Sequence, residues 1–132
     1  MIDTSAMVAA LISDHQFHAQ ARPHLRADSA IPAIVLAESY AQLRRTFGLS
    51  SSAASTVLRP WTAHDSRIVA TDADVVRDVF GRATELNLGG NIHDALVAAT
   101  CRARDLPLVT LDRRQHAVAL AFGVASTLLL PS

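Results

Sequence analysis

The chain alternates short apolar segments with longer helical segments, and this alternation limits its fold more than any other feature. Segments 67–71, 107–111 and 124–130 have the β-branched and apolar composition of buried strands. Amphipathic helical patterns lie between them, for example over 34–47. Strands that alternate with helices form a parallel sheet covered by helices, so the sequence predicts an α/β domain.

Capping residues, glycines and prolines set the expected ends of the helices. Thr4 and Ser5 are expected to cap the first helix, and Gly48 ends the helix over 34–47. Ser50 to Ser52 cap the next helix, which Pro60 is expected to shorten. The predicted helices cover 5–13, 17–26 with a break near Pro23, 34–47, the segment after Ser52, 73–86 before Gly89 and Gly90, 92–104 and 113–122, and a strand lead-in covers 29–32.

The length of 132 residues predicts one domain, over 1–132, that buries about two-thirds of its unfolded surface. A single cysteine, Cys101, forms no intrachain disulfide, and its alanine neighbours predict a helix-packing role. The apolar runs 6–12 and 124–130 are too short to span a bilayer, and no basic leader precedes the first. We therefore expect a cytoplasmic protein without a membrane partner.

Four carboxylates occupy the positions that an α/β cleft requires. Asp3 follows the opening apolar residues, Asp112 closes a strand, Asp94 opens a helix and Glu38 interrupts an apolar helix. In parallel sheets ligands bind beyond the carboxyl ends of the strands, where Asp3 and Asp112 fall. Each residue alone also fits a helix cap, a turn or a solvent-facing stripe. The hypothesis of a shared site rests on the four together.

Carboxylates that share one cleft repel one another. The repulsion is roughly 4 kcal/mol for each pair at ~4 Å and an effective dielectric of ~20. A cation relieves this repulsion, and oxygen ligands without a cysteine or histidine cluster favour Mg²⁺ or Mn²⁺ over Zn²⁺. The sequence therefore predicts a divalent-metal site with phosphodiester chemistry.

The charge balance is compatible with a nucleic-acid partner. The formal net charge is zero, but without the four site acids eight acidic residues remain against twelve basic ones. Every basic residue is arginine, whose planar fork suits phosphate oxygens. The candidate phosphate contacts are Arg44, Arg45, Arg113 and Arg114.

Four short motifs occur in a fixed order along nearly the whole chain. They are Ile2-Asp3-Thr4-Ser5-Ala6, Leu36-Ala37-Glu38, Ile92-His93-Asp94-Ala95-Leu96 with Ala98-Ala99, and Leu108-Val109-Thr110-Leu111-Asp112. In this order and spacing the chain resembles the PIN-domain ribonucleases, most closely the toxin halves of VapBC toxin–antitoxin systems. The resemblance implies a PIN-like three-layer α/β/α sandwich with a central parallel sheet, an acidic Mg²⁺ or Mn²⁺ site, RNA cleavage and inhibition by a small antitoxin.

Within that resemblance, each acidic residue has an expected role. Asp3, Asp94 and Asp112 would hold one divalent ion, which lowers the pKa of a bound water and stabilises charge on the phosphorane. Glu38 would orient the water or hold a second ion. The expected hydrogen-bond donors to these carboxylates are Thr4, Ser5 and Thr110.

Half of the residues are hydrophobic and the mean hydropathy is +0.24, so we expect a partner to cover apolar surface. The expected contact is a homodimer formed by the apolar helices over 36–47 and 57–61. A VapB-like antitoxin would cover the remaining groove. Trp61 is expected to pack in the core or in this interface.

Two features depart from the PIN-domain pattern. Only Met1 and Ile2 precede Asp3, so the central strand is expected to be short. Residues 113–116 are Arg-Arg-Gln-His, where many relatives carry a further acid, so a second ion is expected to bind weakly or only with RNA. An alternative stays open, in which a PIN-like module binds RNA or an antitoxin with little catalytic activity.

Overall fold

The structure is a computed structural model that describes residues 1–88 and 91–130. These ranges contain seven α-helices and four short strands, and two 3₁₀ turns at Arg22–His24 and Asp65–Arg67. The helices are α1 (Thr4–Leu11), α2 (His18–Ala21), α3 (Ala33–Arg45), α4 (Ser51–Thr62), α5 (Ala73–Arg82), α6 (Ile92–Ala103) and α7 (Arg113–Ala121). The strands are β1 (Ile31–Pro32), β2 (Ile68–Val69), β3 (Leu108–Thr110) and β4 (Ser126–Leu128).

All strand pairing within the described ranges is parallel, as the alternating pattern predicts. Strand β1 pairs with β2, and β3 pairs with β4. The start of the chain joins β3 through a single parallel bridge between Ile2 and Val109. The expected short first strand is therefore one bridge long.

The first helix begins one residue earlier than the sequence indicates. Asp3, rather than Thr4 or Ser5, is its N-cap, and the Asp3 Oδ1 atom accepts a hydrogen bond from Ala6 N at 3.0 Å. Thr4 and Ser5 lie inside the first turn, so the prediction that they cap the helix was wrong. This leaves their hydroxyl groups free to contact other side chains.

Other helix ends also differ from expectation, among them those of α4 and α5. Helix α4 is capped by Ser50 as predicted, but it includes Pro60 and continues to Thr62. A proline this close to the end removes only one main-chain hydrogen bond, so it did not shorten the helix. Helix α5 ends at Arg82, before the predicted end at 86, and Asn87 then adopts a left-handed φ of 49°. Gly89 and Gly90, the predicted terminators, lie outside the described residues.

Small residues let the central helices pack closely. Ala6 and Ala9 of α1 and Ala95 and Ala98 of α6 are fully buried. Cys101 of α6 is also fully buried, and burial raises the pKa of its thiol to about 11. Its predicted role as a helix-packing residue is confirmed. Among the described helices, none is long and apolar enough to cross a membrane.

The apolar residues that predicted a dimer contact belong to the core of the domain itself. Leu36, Leu43, Leu58 and Trp61 are all buried, so they are not available to a second subunit. Trp61 also donates its indole Nε1 hydrogen to the main-chain oxygen of Arg26 at 2.9 Å. An exposed apolar pair lies elsewhere, on α5. It consists of Val76, 36% exposed, and Phe80, 63% exposed.

We predict that Trp61→Phe destabilises the domain by about 2–4 kcal/mol. The substitution removes buried area and leaves the Arg26 oxygen without its indole donor. Chemical denaturation followed by circular dichroism measures this loss. In the unaltered protein the single tryptophan should show blue-shifted emission that does not change on dilution. Red-shifted emission, or a variant as stable as the parent, would contradict the core placement.

Candidate active site

The structure brings all four predicted carboxylates to one small cleft. Asp3 caps α1, Asp112 caps α7, Asp94 lies in the first turn of α6, and Glu38 lies in the middle of α3. The cleft has a volume of about 110 Å³. Its lining residues are Asp3, Thr4, Ser5, Glu38, Gln42, Asp94, Val97, Asp112 and Gln115.

Three helices begin at this cleft. The N-termini of α1, α6 and α7 carry Asp3, Asp94 and Asp112 respectively. The positive end of each helix dipole favours a nearby negative charge, by about 0.3–1 kcal/mol at exposed sites. This arrangement partly offsets the mutual repulsion of the carboxylates, because the three helix dipoles stabilise the ionised side chains in the cleft.

Asp3 is the most constrained of the four acids. It is only 4% exposed. Its Oδ1 atom accepts hydrogen bonds from Ser5 Oγ at 2.8 Å and Ala6 N at 3.0 Å, and its Oδ2 atom accepts one from Thr110 Oγ1. A carboxylate offers about four lone pairs. The one that these donors leave free is on Oδ2.

The hydroxyl groups around Asp3 are held by main-chain donors. Leu111 N donates to Ser5 Oγ at 3.0 Å, and Asp112 N donates to Thr110 Oγ1 at 2.9 Å. Each hydroxyl therefore accepts from the β3–α7 turn and gives its own hydrogen to Asp3. The turn that presents Asp112 is thus fixed relative to the first turn of α1.

Glu38 and Asp112 have fewer contacts than Asp3. Thr4 Oγ1 donates to Glu38 Oε1 at 3.2 Å, and Arg114 N donates to Asp112 Oδ1 at 2.8 Å. Both carboxyl groups are half-buried. They keep free oxygen atoms that face the cleft, as a ligand for a cation must.

Two carboxyl groups have a raised pKa. Burial is the main cause for Asp3, and it raises the pKa of this group from 3.8 to about 6 despite the opposing hydrogen bonds. Burial also raises the pKa of Asp94, and the negative charges of Asp112 and Glu38 raise it further. The nearby positive charge of Arg114 acts in the opposite direction. The acids therefore interact electrostatically across the cleft.

The donor set suits a hard divalent ion, because the charged groups in the cleft are all carboxylates and the other polar groups are hydroxyls and amides. Within residues 1–88 and 91–130, no group of three or more His, Cys, Asp or Glu side chains is arranged as a metal site. The four carboxylates thus share a cleft without closing on one point.

The candidate arginines lie on two helices, α7 and α3. Arg113 and Arg114 are exposed in the first turn of α7, directly after Asp112. Arg44 and Arg45 are exposed in the last turn of α3, and Arg44 Nη1 donates to the main-chain oxygen of Leu49 at 3.3 Å. Arg44 therefore contacts the main chain that follows α3. The positive charge of Arg114 acts to lower the pKa of Asp94.

Three residues of the cleft were missed by the sequence interpretation. Gln42, Val97 and Gln115 all line it. Gln42 follows Glu38 by four residues on α3, Val97 follows Asp94 by three on α6, and Gln115 follows Asp112, the N-cap of α7, by three. Residues at these spacings lie on the same helical face, so this periodicity was the signal that could have found them.

Fold and cleft together define an α/β domain with an acidic site where three helices begin. The family model of the PIN domain matches residues 1–120. This chain belongs to the PIN-domain family. The predicted family and fold class are therefore confirmed. Among curated proteins, no relative matches the sequence.

Solved structures with the same fold have low sequence identity to this chain. VapC20 of Mycobacterium tuberculosis, described as a sarcin–ricin loop cleaving toxin, is 19% identical with a TM-score of 0.66, over 88% of this chain and 92% of VapC20. FitAB bound to an IR36 DNA fragment is 19% identical with a TM-score of 0.63, over 96% and 92%. FitAcB from Neisseria gonorrhoeae is 19% identical with a TM-score of 0.62, over 99% and 98%.

We predict that, without metal, Asp3 makes the domain less stable as pH rises. The pKa of Asp3 is higher in the folded state, at about 6, than its ordinary value of 3.8. The folded state therefore holds the proton more tightly, and the stabilisation is complete below about pH 4 and lost as pH rises through 6. The loss attributable to Asp3 is up to about 3 kcal/mol.

Urea denaturation in chelator at several pH values measures this effect. Asp3→Asn cannot ionise, so it should be more stable than the parent above pH 6 and lose that advantage near pH 4. Asp14→Asn, at an exposed position outside the cleft, is the matched control. A parent protein whose stability relative to Asp3→Asn does not change with pH would contradict the raised pKa.

Proposed function

We propose that this chain is a divalent-metal-dependent endoribonuclease that acts as the toxin of a type II toxin–antitoxin pair. The observation that carries the proposal is the meeting of Asp3, Glu38, Asp94 and Asp112 in one cleft of a PIN domain. The description of VapC20 as a toxin that cleaves the sarcin–ricin loop supports the reaction class. RNA phosphodiester bonds are the proposed substrate.

Asp3, Asp94 and Asp112 would hold a Mg²⁺ or Mn²⁺ ion, and Glu38 would orient the attacking water or hold a second ion. A bound divalent ion supplies an activated water and neutralises charge on the phosphate. Asp3 contributes through Oδ2, because Oδ1 is occupied by two hydrogen-bond donors. Ser5 and Thr110 keep the Asp3 carboxylate in one orientation.

Thr4 orients the Glu38 carboxylate, as Ser5 orients that of Asp3. Its hydroxyl donates to Oε1 of Glu38, which leaves Oε2 for a water molecule or an ion. Because Thr4 belongs to α1 and Glu38 to α3, this bond also ties the two helices together at the cleft. The three hydroxyl donors thus act as positioning groups in the proposed site.

Arg113 and Arg114 are the proposed contacts for the RNA backbone. Both lie at the N-terminal end of α7, where the helix dipole disfavours positive charge. Both follow Asp112 directly in the chain, and the positive charge of Arg114 acts to lower the pKa of Asp94, which supports a basic border to the cleft that would contact a phosphate. Arg45 lies seven residues after Glu38 on the same helical face and extends this basic border.

A VapB-like antitoxin is the proposed partner, and the cytoplasm is the proposed place of action. Support for the antitoxin comes from the toxin description of VapC20. A homodimer stays a proposal as well, but Leu43 and Trp61 cannot form its contact because the domain buries them. Val76 and Phe80 on α5 are the exposed apolar residues that a second chain would cover.

We predict that RNA cleavage requires Mn²⁺ or Mg²⁺ and falls at least about 100-fold in Asp94→Asn. The substitution removes one negative ligand while preserving size, so the fold should be retained. A gel assay with a labelled RNA, with and without chelator, measures the rate. Asp14→Asn is the control and should cleave as the parent does.

One outcome would count against the metal mechanism, and another would count against the proposal that the chain is an enzyme. Cleavage that continues in chelator and in Asp94→Asn would refute the role of the ion. Tight RNA binding without cleavage at any divalent-ion concentration would instead favour the alternative, a PIN-like module that binds RNA or an antitoxin.

We also predict that RNA affinity falls steeply with salt and that Arg114→Ala reduces the slope of log affinity against log salt by about 1. Each arginine bound to a phosphate releases counterions, so loss of one contact removes one part of the slope. Fluorescence anisotropy with RNA over a salt series measures this in chelator. Arg59→Ala, at an exposed position on α4, should leave the slope unchanged.

A further inference from the structure

Gln115 is a buried amide inside the acidic cleft. Its side chain is 2% exposed and lines the cleft together with the four carboxylates. Its Nε2 group donates to the main-chain oxygen of Asp94 at 3.0 Å. Burial of an amide is costly unless it is hydrogen-bonded, so this bond accounts for the position of the side chain.

The bond is not the one that a glutamine at this position ordinarily makes. Three residues after a helix N-cap, glutamine normally reaches back to the main-chain N–H of the capping residue. Here the N–H of the cap, Asp112, donates to Thr110 Oγ1 instead. The amide of Gln115 is therefore free to cross from α7 to α6.

We infer that Gln115 is a positioning residue that fixes the spacing of the Asp94 and Asp112 carboxylates for a divalent cation. The inference rests on the proposed function. Asp112 caps α7, and Gln115 lies in the first turn of the same helix. Its amide holds the first turn of α6, which carries Asp94. The two helix ends cannot separate without breaking this bond.

A glutamate at position 115 could not replace the glutamine. An ionised carboxylate has no hydrogen to donate to the Asp94 oxygen, and it would add a fifth negative charge to the cleft. Glutamine supplies the donor and keeps the charge at four. Gln115 is therefore not simply a missing acid after Asp112, because its amide holds the first turn of α6.

Calorimetry of Mn²⁺ binding to the full chain tests the inference without using activity. Gln115→Met keeps the approximate volume but removes the donor, and it should weaken Mn²⁺ binding by about 10-fold or more. Gln16→Met is the control for the same change of side chain, because Gln16 is exposed and lies outside the cleft lining. Its Mn²⁺ affinity should stay within about 2-fold of the parent, well below the effect expected for a ligand-orienting group.

The comparison separates positioning from general stability. At saturating Mn²⁺, Gln115→Met should regain most of its RNA cleavage, because all four carboxylates are still present. A Gln115→Met variant that binds Mn²⁺ as tightly as Gln16→Met would overturn the inference alone. Absence of Mn²⁺ binding by the parent protein would overturn the proposed function and the inference together.

A measurement on the parent protein covers the case in which Gln115→Met does not fold. In nuclear magnetic resonance spectra, the side-chain amide hydrogens of Gln115 should exchange with solvent more slowly than those of Gln42. Their shifts should also move when Mg²⁺ is added. Exchange as fast as that of Gln42, or shifts that do not respond to Mg²⁺, would overturn the inference.

Discussion

The burial of Asp3 at the junction of α1 and β3 is the constraint on which the rest of the structure depends. Its main-chain N–H donates to Val109 O at 3.1 Å, while its carboxylate caps α1 and accepts from Thr110. One residue thus sets the start of a helix, the position of a strand and the floor of the cleft. An apolar residue here would lose the helix cap and both hydroxyl contacts, and these contacts offset part of the cost of burying the Asp3 carboxylate.

The cleft combines features that cost stability with features that limit the cost. Burial and like charge raise the pKa of Asp3 and Asp94, so the ionised site is under electrostatic strain. Three helix N-termini and the charge of Arg114 lower that strain without removing it. Such a balance is typical of functional sites, where local stability is given up for binding. The strain that remains is what a divalent cation would relieve.

The sequence predicted the four carboxylates and the α/β class because both depend on local patterns. Asp3 and Asp112 end apolar segments, and parallel topology then brings them to one edge. Helix ends were predicted less well: α4 continues past Pro60 to Thr62, and α5 ends at Arg82, before Asn87 adopts a left-handed φ. Gln115 was missed because its hydrogen bond crosses between two helices. Leu36, Leu43, Leu58 and Trp61 are buried in the domain rather than free for a dimer contact, because an apolar stripe does not say whether it faces the core or a partner. The homodimer itself stays a proposal.

In the proposed metal site, a proton and a divalent cation would compete for the same atom. Donors already occupy Oδ1 of Asp3, so both a proton and a metal ion must use the free lone pair of Oδ2. Because the pKa of Asp3 is about 6, a proton is held there in mildly acidic solution and must leave before the ion can bind. The burial that raises this pKa also keeps the carboxylate dry and rigid. Metal affinity of the proposed site would therefore be coupled to pH through Asp3.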